Sequence, residues 1–229
     1  MNIDNYNTEF LINRSIKELS VYSQVFQERI VPAFDPLEEE AKEIEQKAYA
    51  QSAACAGPDA DPGYAAEDAY HEGVNFFLAT DEIRQGVFNL TVAGLYHLFE
   101  QHSGSLLFQL RGPPPKGNNV RDQLSKFLDH LAIDIEQLKG WSDVEELRLV
   151  ANSVKHGDGS SSSQLRQRNP KLFLLYQDDP SGNFRFHRVI RPLAGDGLYL
   201  TPDDFNRYAH ALTEFWQSLL SALKPKLPT

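Results

Sequence analysis

Apolar residues recur at intervals of three and four along most of this 229-residue chain, and only a few Pro, Gly and Ser clusters interrupt them. That spacing builds one apolar face on a helix, whereas a half-buried strand needs strict alternation. It predicts a mainly α fold, an antiparallel bundle whose helices are delimited by the interruptions. Ile12, Ile16, Leu19, Val25, Phe26 and Ile30 share one face of a first helix, stopped at Pro32. Leu37, Ala41, Ile44 and Ala48 mark a second, with Glu38 to Glu40 suited to its positive N-terminal end. "CAGPDADPGY" is a loop. A long helical stretch follows from about Ala65 to His102, with a break expected near Thr80–Asp81. After the connector "RGPPPKGNN", Val120, Leu124, Phe127, Leu131, Ile135 and Leu138 give the cleanest amphipathic pattern, ended by Gly140. Ser142, with Glu145 three residues on, has the capping-box spacing expected to open the next helix.

The pattern changes after His156. "GDGSSSS" reads as a flexible loop by composition. "KLFLLYQ" and "NFRFHRVI", separated by "DDPSG", read as a small β-hairpin, with Leu198 to Leu200 as a third strand. Thr201-Pro202-Asp203-Asp204 then places an N-cap and a first-turn proline ahead of a final helix, whose Phe205, Tyr208, Leu212, Phe215, Leu219 and Leu223 face inward. The expected organisation is a helical bundle over residues 1–159, with residues 160–229 supplying a loop, a β-hairpin and a C-terminal helix packed on it.

Charge and composition narrow the chemistry. The formal charge of −10 argues against coating nucleic acid through a broadly basic surface, so any polyanion has to be held locally. The single cysteine, Cys55, excludes an internal disulfide and a cysteine-based zinc site. The N-terminus "MNIDNYNTEF" has neither a basic region nor an apolar stretch, and no run suits a membrane span, so the cytoplasm is the expected compartment. Metal-binding bundles use repeated Glu-x-x-His pairs. Asp68-x-x-His71, Glu67-x-x-x-His71 and His130-x-x-x-Asp134 do not repeat that pattern, and neither metal nor cofactor is expected. No phosphate-loop, nucleophile-elbow or dinucleotide fingerprint is present.

One stretch does concentrate chemistry: "LRLVANSVKHGDGSSSS", Leu147 to Ser163. Val144, Leu147, Ala151 and Val154 form a core-facing stripe, and Arg148, Asn152 and His156 follow at spacings of four along an adjacent polar edge. His156 sits where helix carbonyls go unpaired and the dipole is negative, which favours its protonated form, and Gly157 can cap the end. A proton carrier beside a phosphate suits that position. The plainer alternative is a histidine before a glycine cap, with Arg148 paired to Glu145 or to a neighbouring helix. Arg166, Arg168 and Lys171, beside the serine run, form a local basic cluster that either lies on a solvated loop or reaches RNA phosphates.

A helical bundle with a late helix ending in "LRLVANSVKHGDG" resembles the HEPN superfamily, whose members often carry an arginine, a short spacer and a histidine here, commonly in an "N-x-x-x-H" setting. The sequence likeness covers Leu147 to Gly159. The resemblance implies an HEPN-like bundle and a metal-independent endoribonuclease site at a homodimer interface, of a prokaryotic toxin or defence type. Arg148 would clamp the scissile phosphate, His156 would act as acid/base, and Asn152 would assist; RNA and an antitoxin or other protein would be partners. Seven residues separate Arg148 from His156, a longer spacer than is usual in that family, and Leu149 stands where a polar residue is usual. Many family members are non-catalytic, so a dimeric interaction or nucleotide-binding module is the alternative.

Overall fold

A computed structural model describes residues 5–55, 57, 61–112, 119–173, 189, 193 and 197–226. Its order is α1 (Asn5–Val25), which continues through a π turn (Phe26–Ile30) and a 3-10 turn (Val31–Phe34), then α2 (Leu37–Cys55) and α3 (Pro62–Arg111). α4 (Val120–His130), α5 (Trp141–His156), α6 (Ser160–Arg168) and α7 (Pro202–Leu223) follow, with short 3-10 turns at Ile135–Gln137, Pro170–Phe173 and Lys224–Lys226. The described residues form a helical bundle and contain no strand.

One continuous core holds the bundle. It runs from Ile12, Leu19 and Phe26 through Val92, Leu95 and Phe99 of α3 to Leu147 and Val150 of α5 and Phe215, Trp216 and Leu219 of α7. The six residues expected to face inward on α7 are all fully buried. Phe26 stacks on Phe205 at 4.0 Å, and Phe99, Trp141, Phe215 and Trp216 form an aromatic cluster with centroids 5.4–6.4 Å apart. Such rings bury more apolar area than any other side chains and fix relative helix rotation through edge and face geometry. Leu165, Leu172, Phe173, Leu198 and Leu200 join the same core, so the segment after His156 is built into it.

α3 is a single helix of 50 residues, about 75 Å long at 1.5 Å per residue. Asp61 caps it by accepting from the Gly63 N–H at 2.8 Å, and Pro62 occupies the first turn. The break expected at Thr80–Asp81 is absent: the weak helix propensity of that pair costs only tenths of a kcal/mol each, roughly, and Asp81 pairs with Arg84 one turn on. Buried core on α3 begins at Phe88; its N-terminal half packs on α2, and the two make an arm that contributes nothing to the common core. Gly73 permits the close approach, since a Cβ there would meet the Ala41 carbonyl at 2.9 Å.

Three other expectations are corrected. The Val120–Leu138 pattern is not one helix: α4 stops at His130, where Ile133 N–H donates to Leu128 O (2.9 Å) and Ala132 N–H to Asp129 O (3.0 Å). That is a Schellman ending, and Ala132 takes its left-handed position at φ 54° in place of the usual glycine. Asp134 then caps the following turn by accepting from Glu136 N–H. Ser142 is not the cap of α5; Gly140, at φ 76°, precedes Trp141, and its carbonyl accepts from Val144 N–H at 3.0 Å. "GDGSSSS" is not a loop throughout, because α6 starts at Ser160. There Ser162 Oγ accepts from Gly159 N–H at 2.7 Å, Leu165 is fully buried, and Arg166 pairs with Asp158. Tertiary anchoring overrides the low helix propensity of serine.

The hairpin proposed over 171–177 and 183–190 lies mostly outside the described residues. Its described start, Lys171 to Phe173, is a 3-10 turn. Leu198 to Leu200 is not a third strand either. Asn89 Nδ2 donates to Leu198 O (2.8 Å), Gln85 Nε2 donates to Leu200 O (2.8 Å), and Tyr199 N–H donates to Leu172 O (2.8 Å). Side chains of α3, with the Leu172 carbonyl, thus satisfy backbone that a sheet partner would otherwise pair.

Candidate functional site on the fifth helix

α5 presents Arg148, Asn152 and His156 along one edge, as the spacing of four dictates, but does not bring all three together. Arg148 and His156 lie about 12 Å apart along the helix axis, and helical side chains lean toward the N-terminus. Arg148 follows that lean: its Nε donates to Glu145 Oε2 at 3.3 Å, away from His156. Glu145 also accepts from Arg121 Nε of α4 at 2.8 Å, so one carboxylate serves two guanidinium groups. The Arg148 side chain remains 26% exposed.

Asn152 is half-buried and lines a cavity of about 520 Å³ between α3 and α5. Tyr96, His97 and Glu100 face it from α3, Lys155 from α5, and Leu90 and Leu193 add apolar wall. Tyr96 is buried, and its hydroxyl has no hydrogen-bond partner among the described residues. Burial pushes that phenol well above its ordinary range, reinforced by the Glu100 charge and opposed by Arg148. His156 is exposed at the end of α5, where Gly157 (φ 70°) donates its N–H to Ser153 O and stops the helix.

The basic cluster is dispersed. Arg166 pairs with Asp158 and lies over the Phe173 ring at 4.8 Å. Arg168 donates to Glu146 Oε2 (3.2 Å) and to the Ser142 carbonyl (2.6 Å), at the opposite end of α5 from His156. Lys171 is exposed on the 3-10 turn. Among the described residues, no three His, Cys, Asp or Glu side chains converge in a way that could hold a metal ion.

Two polar constellations escaped the sequence reading. Glu146 is buried and accepts from Arg207 Nη2 (2.7 Å), Tyr208 Oη (2.8 Å), Asn169 Nδ2 (3.0 Å) and Arg168, tying α5 to α7 and to the end of α6. Burial alone would raise its pKa; the hydrogen bonds from Asn169, Arg207 and Tyr208, with the charge of Arg207, outweigh it and hold the carboxyl below the usual range. Burial chiefly, then the Glu146 charge, pushes the Tyr208 phenol well up. On the other side of the bundle, buried His102 of α3 bonds Glu18 of α1 at 2.8 Å beside a cavity of about 180 Å³. Hydrogen bonds from Arg14 and then His102 lower the Glu18 pKa. Helical periodicity cannot reveal either set, because the partners of Glu146 lie 22–62 residues from it in the chain and His102 lies 84 from Glu18.

Comparison with protein-family models, with curated proteins and with solved structures gave no match. Among the described residues, no helix is long and apolar enough to cross a membrane.

Proposed function

We propose that the chain works by binding rather than by catalysis, as a non-catalytic, HEPN-like dimeric interaction module. One observation carries this reading: Arg148, the residue needed to clamp a phosphate, is held by Glu145 and directed away from His156. The other cations of the expected RNA surface support it, because Arg166 and Arg168 are engaged by Asp158 and Glu146. A nucleotide-binding variant of the same reading maps to the cavity lined by Tyr96 and Asn152.

A second reading is favoured by the exposure of His156 at a helix end with Asn152 one turn before it. In it the chain is a cytoplasmic, metal-independent endoribonuclease of a toxin or defence system, RNA is the substrate and an antitoxin the protein partner. A second copy across a two-fold axis would then supply the Arg148 that one chain keeps apart from His156.

Incubating the wild type and His156→Ala with a mixed RNA pool, alongside sedimentation, separates the two. Binding without catalysis predicts a dimer, uncut RNA for both proteins, and a melting temperature unmoved by His156→Ala. RNA cut by the wild type and spared by His156→Ala overturns it in favour of the ribonuclease.

A further inference from the structure

The arm formed by α2 and the N-terminal half of α3 differs in charge from the rest of the molecule. Residues 37–84 hold twelve Asp and Glu against three Lys and Arg, a net −9 out of the chain's −10. The remainder is therefore near neutrality. Only Leu37 and Ala41 of α2 are buried, so nearly all of this charge sits on helices open to solvent.

The same arm carries an uncovered apolar face. A groove of about 250 Å³ between its helices is lined by Ala41 of α2 and by Gly73, Val74 and Phe77 of α3, with Glu38, Lys42 and Glu45 along the α2 rim. Tyr70 (56% exposed) and Leu78 (55% exposed) are not part of that lining but flank Val74 and Phe77 on α3 at helical spacing. Tyr70, Val74, Phe77 and Leu78 occupy positions i, i+4, i+7 and i+8, a single stripe on a helix. A stripe of this kind normally faces a core, yet here it lies beside the groove.

We propose that this groove receives a basic amphipathic helix of another protein. Such a helix would lay its apolar side on Val74, Phe77, Tyr70 and Leu78 and turn lysine and arginine toward Glu38, Glu45 and the surrounding carboxylates, in the helix-in-groove mode. Charge selects this occupant over a second copy of the chain: two arms brought face to face would oppose −9 with −9, whereas a cationic helix gains attraction that also steers its approach. The proposal deepens the binding reading of the molecule by naming a surface and a partner chemistry, and it lies away from the α5 edge, so the two fail separately. Cleavage of RNA overturns the first without touching this one.

The test is fluorescence anisotropy with a labelled amphipathic Lys/Leu peptide of about 18 residues, five helical turns, at about 0.15 M salt, where long-range attraction is screened. A control peptide has the same composition with its leucines permuted off one face. The expected result is saturable binding of the amphipathic peptide, with the permuted one about tenfold weaker or worse. Tyr70→Ser with Leu78→Ser, both exposed positions, should weaken binding about tenfold, as should Glu38→Lys with Glu45→Lys, with circular dichroism unchanged in each pair and melting temperature lowered by only about 2–4 °C in the charge pair, which loses a first-turn carboxylate of α2. Equal binding of the two peptides, or wild-type affinity in either pair, overturns the groove. Sedimentation showing that the chain self-associates, and that Tyr70→Ser with Leu78→Ser abolishes it, makes the occupant a second copy and overturns the basic helix.

Discussion

The bundle and the arm share one helix and are stabilised by opposite means. In the bundle, α3 meets α1, α5 and α7 through aromatic rings and leucines with no exposure, and its buried carboxylate Glu146 is saturated with donors. In the arm, the same helix meets α2 across small residues, Ala41, Ala69 and Gly73, beneath a dense layer of carboxylates. Aromatic interdigitation ties stability to shape, so small changes propagate. Small-residue contacts between charged helices contribute little area, and that half opens at low cost. The bundle is built to hold one geometry and the arm to present a surface.

The largest effect expected from this contrast is at Gly140. A Cβ there would meet the Ala211 carbonyl at 2.1 Å while φ stays at 76°, so Gly140→Ala should cost about 3 kcal/mol or more in urea unfolding. A loss below about 1 kcal/mol would mean that α5 and α7 separate freely, and the bundle would then resemble the arm.

Glu146 comes next. Glu146→Ala strips the shared acceptor from Arg168, Arg207, Asn169 and Tyr208. Because both arginines keep over a third of their surface in water, the cost should be about 2–3 kcal/mol rather than the full penalty of a buried unpaired charge. Its lowered folded-state pKa means that the Glu146 contribution is present above the unfolded value of 4.5 and is lost as pH falls below it toward the folded one. Acid titration followed by near-UV circular dichroism should show wild-type tertiary packing weakening in that window. Glu146→Ala should lose this part of the pH dependence.

In the arm, Gly73→Ala presses a Cβ against the Ala41 carbonyl at 2.9 Å but gains about 1 kcal/mol of helix propensity in α3. The two nearly cancel globally. Amide exchange in α2 should speed up by about tenfold while α5 and α7 amides keep their protection; loss of protection in α7 would show that arm and bundle unfold together. The smallest effect returns to the bundle. Ala132→Gly relieves a left-handed alanine and should add about 0.5–1 kcal/mol, read as a higher urea midpoint.

How much of this could be read in advance followed the range of the interactions involved. α7 was legible in full, since the Thr201–Asp204 capping box and the inward stripe from Phe205 to Leu223 are local. The periodicity runs past the end of α4 because that ending uses alanine in a glycine position; Ile135 and Leu138 still point to the core as the pattern requires, and Ile133, outside the pattern, is buried with them. Composition does not reveal α6, whose helix depends on Leu165 burial and the Arg166–Asp158 pair. For the candidate site, the shared edge of Arg148, Asn152 and His156 was legible, and so was the alternative pairing of Arg148 with Glu145. The Tyr96 cavity and the Glu146 cluster were not, since both arise where distant helices meet.

The absence of a joint at Thr80–Asp81 gives α3 a mechanical role. From Pro62 to Arg111 it is one strut, fixed at one end among the rings around Phe99 and carrying α2 at the other. No break separates Tyr70 from the turns that carry Leu90, Tyr96 and Glu100 along the cavity beside Asn152. Arm and cavity wall are therefore two stretches of a single rod.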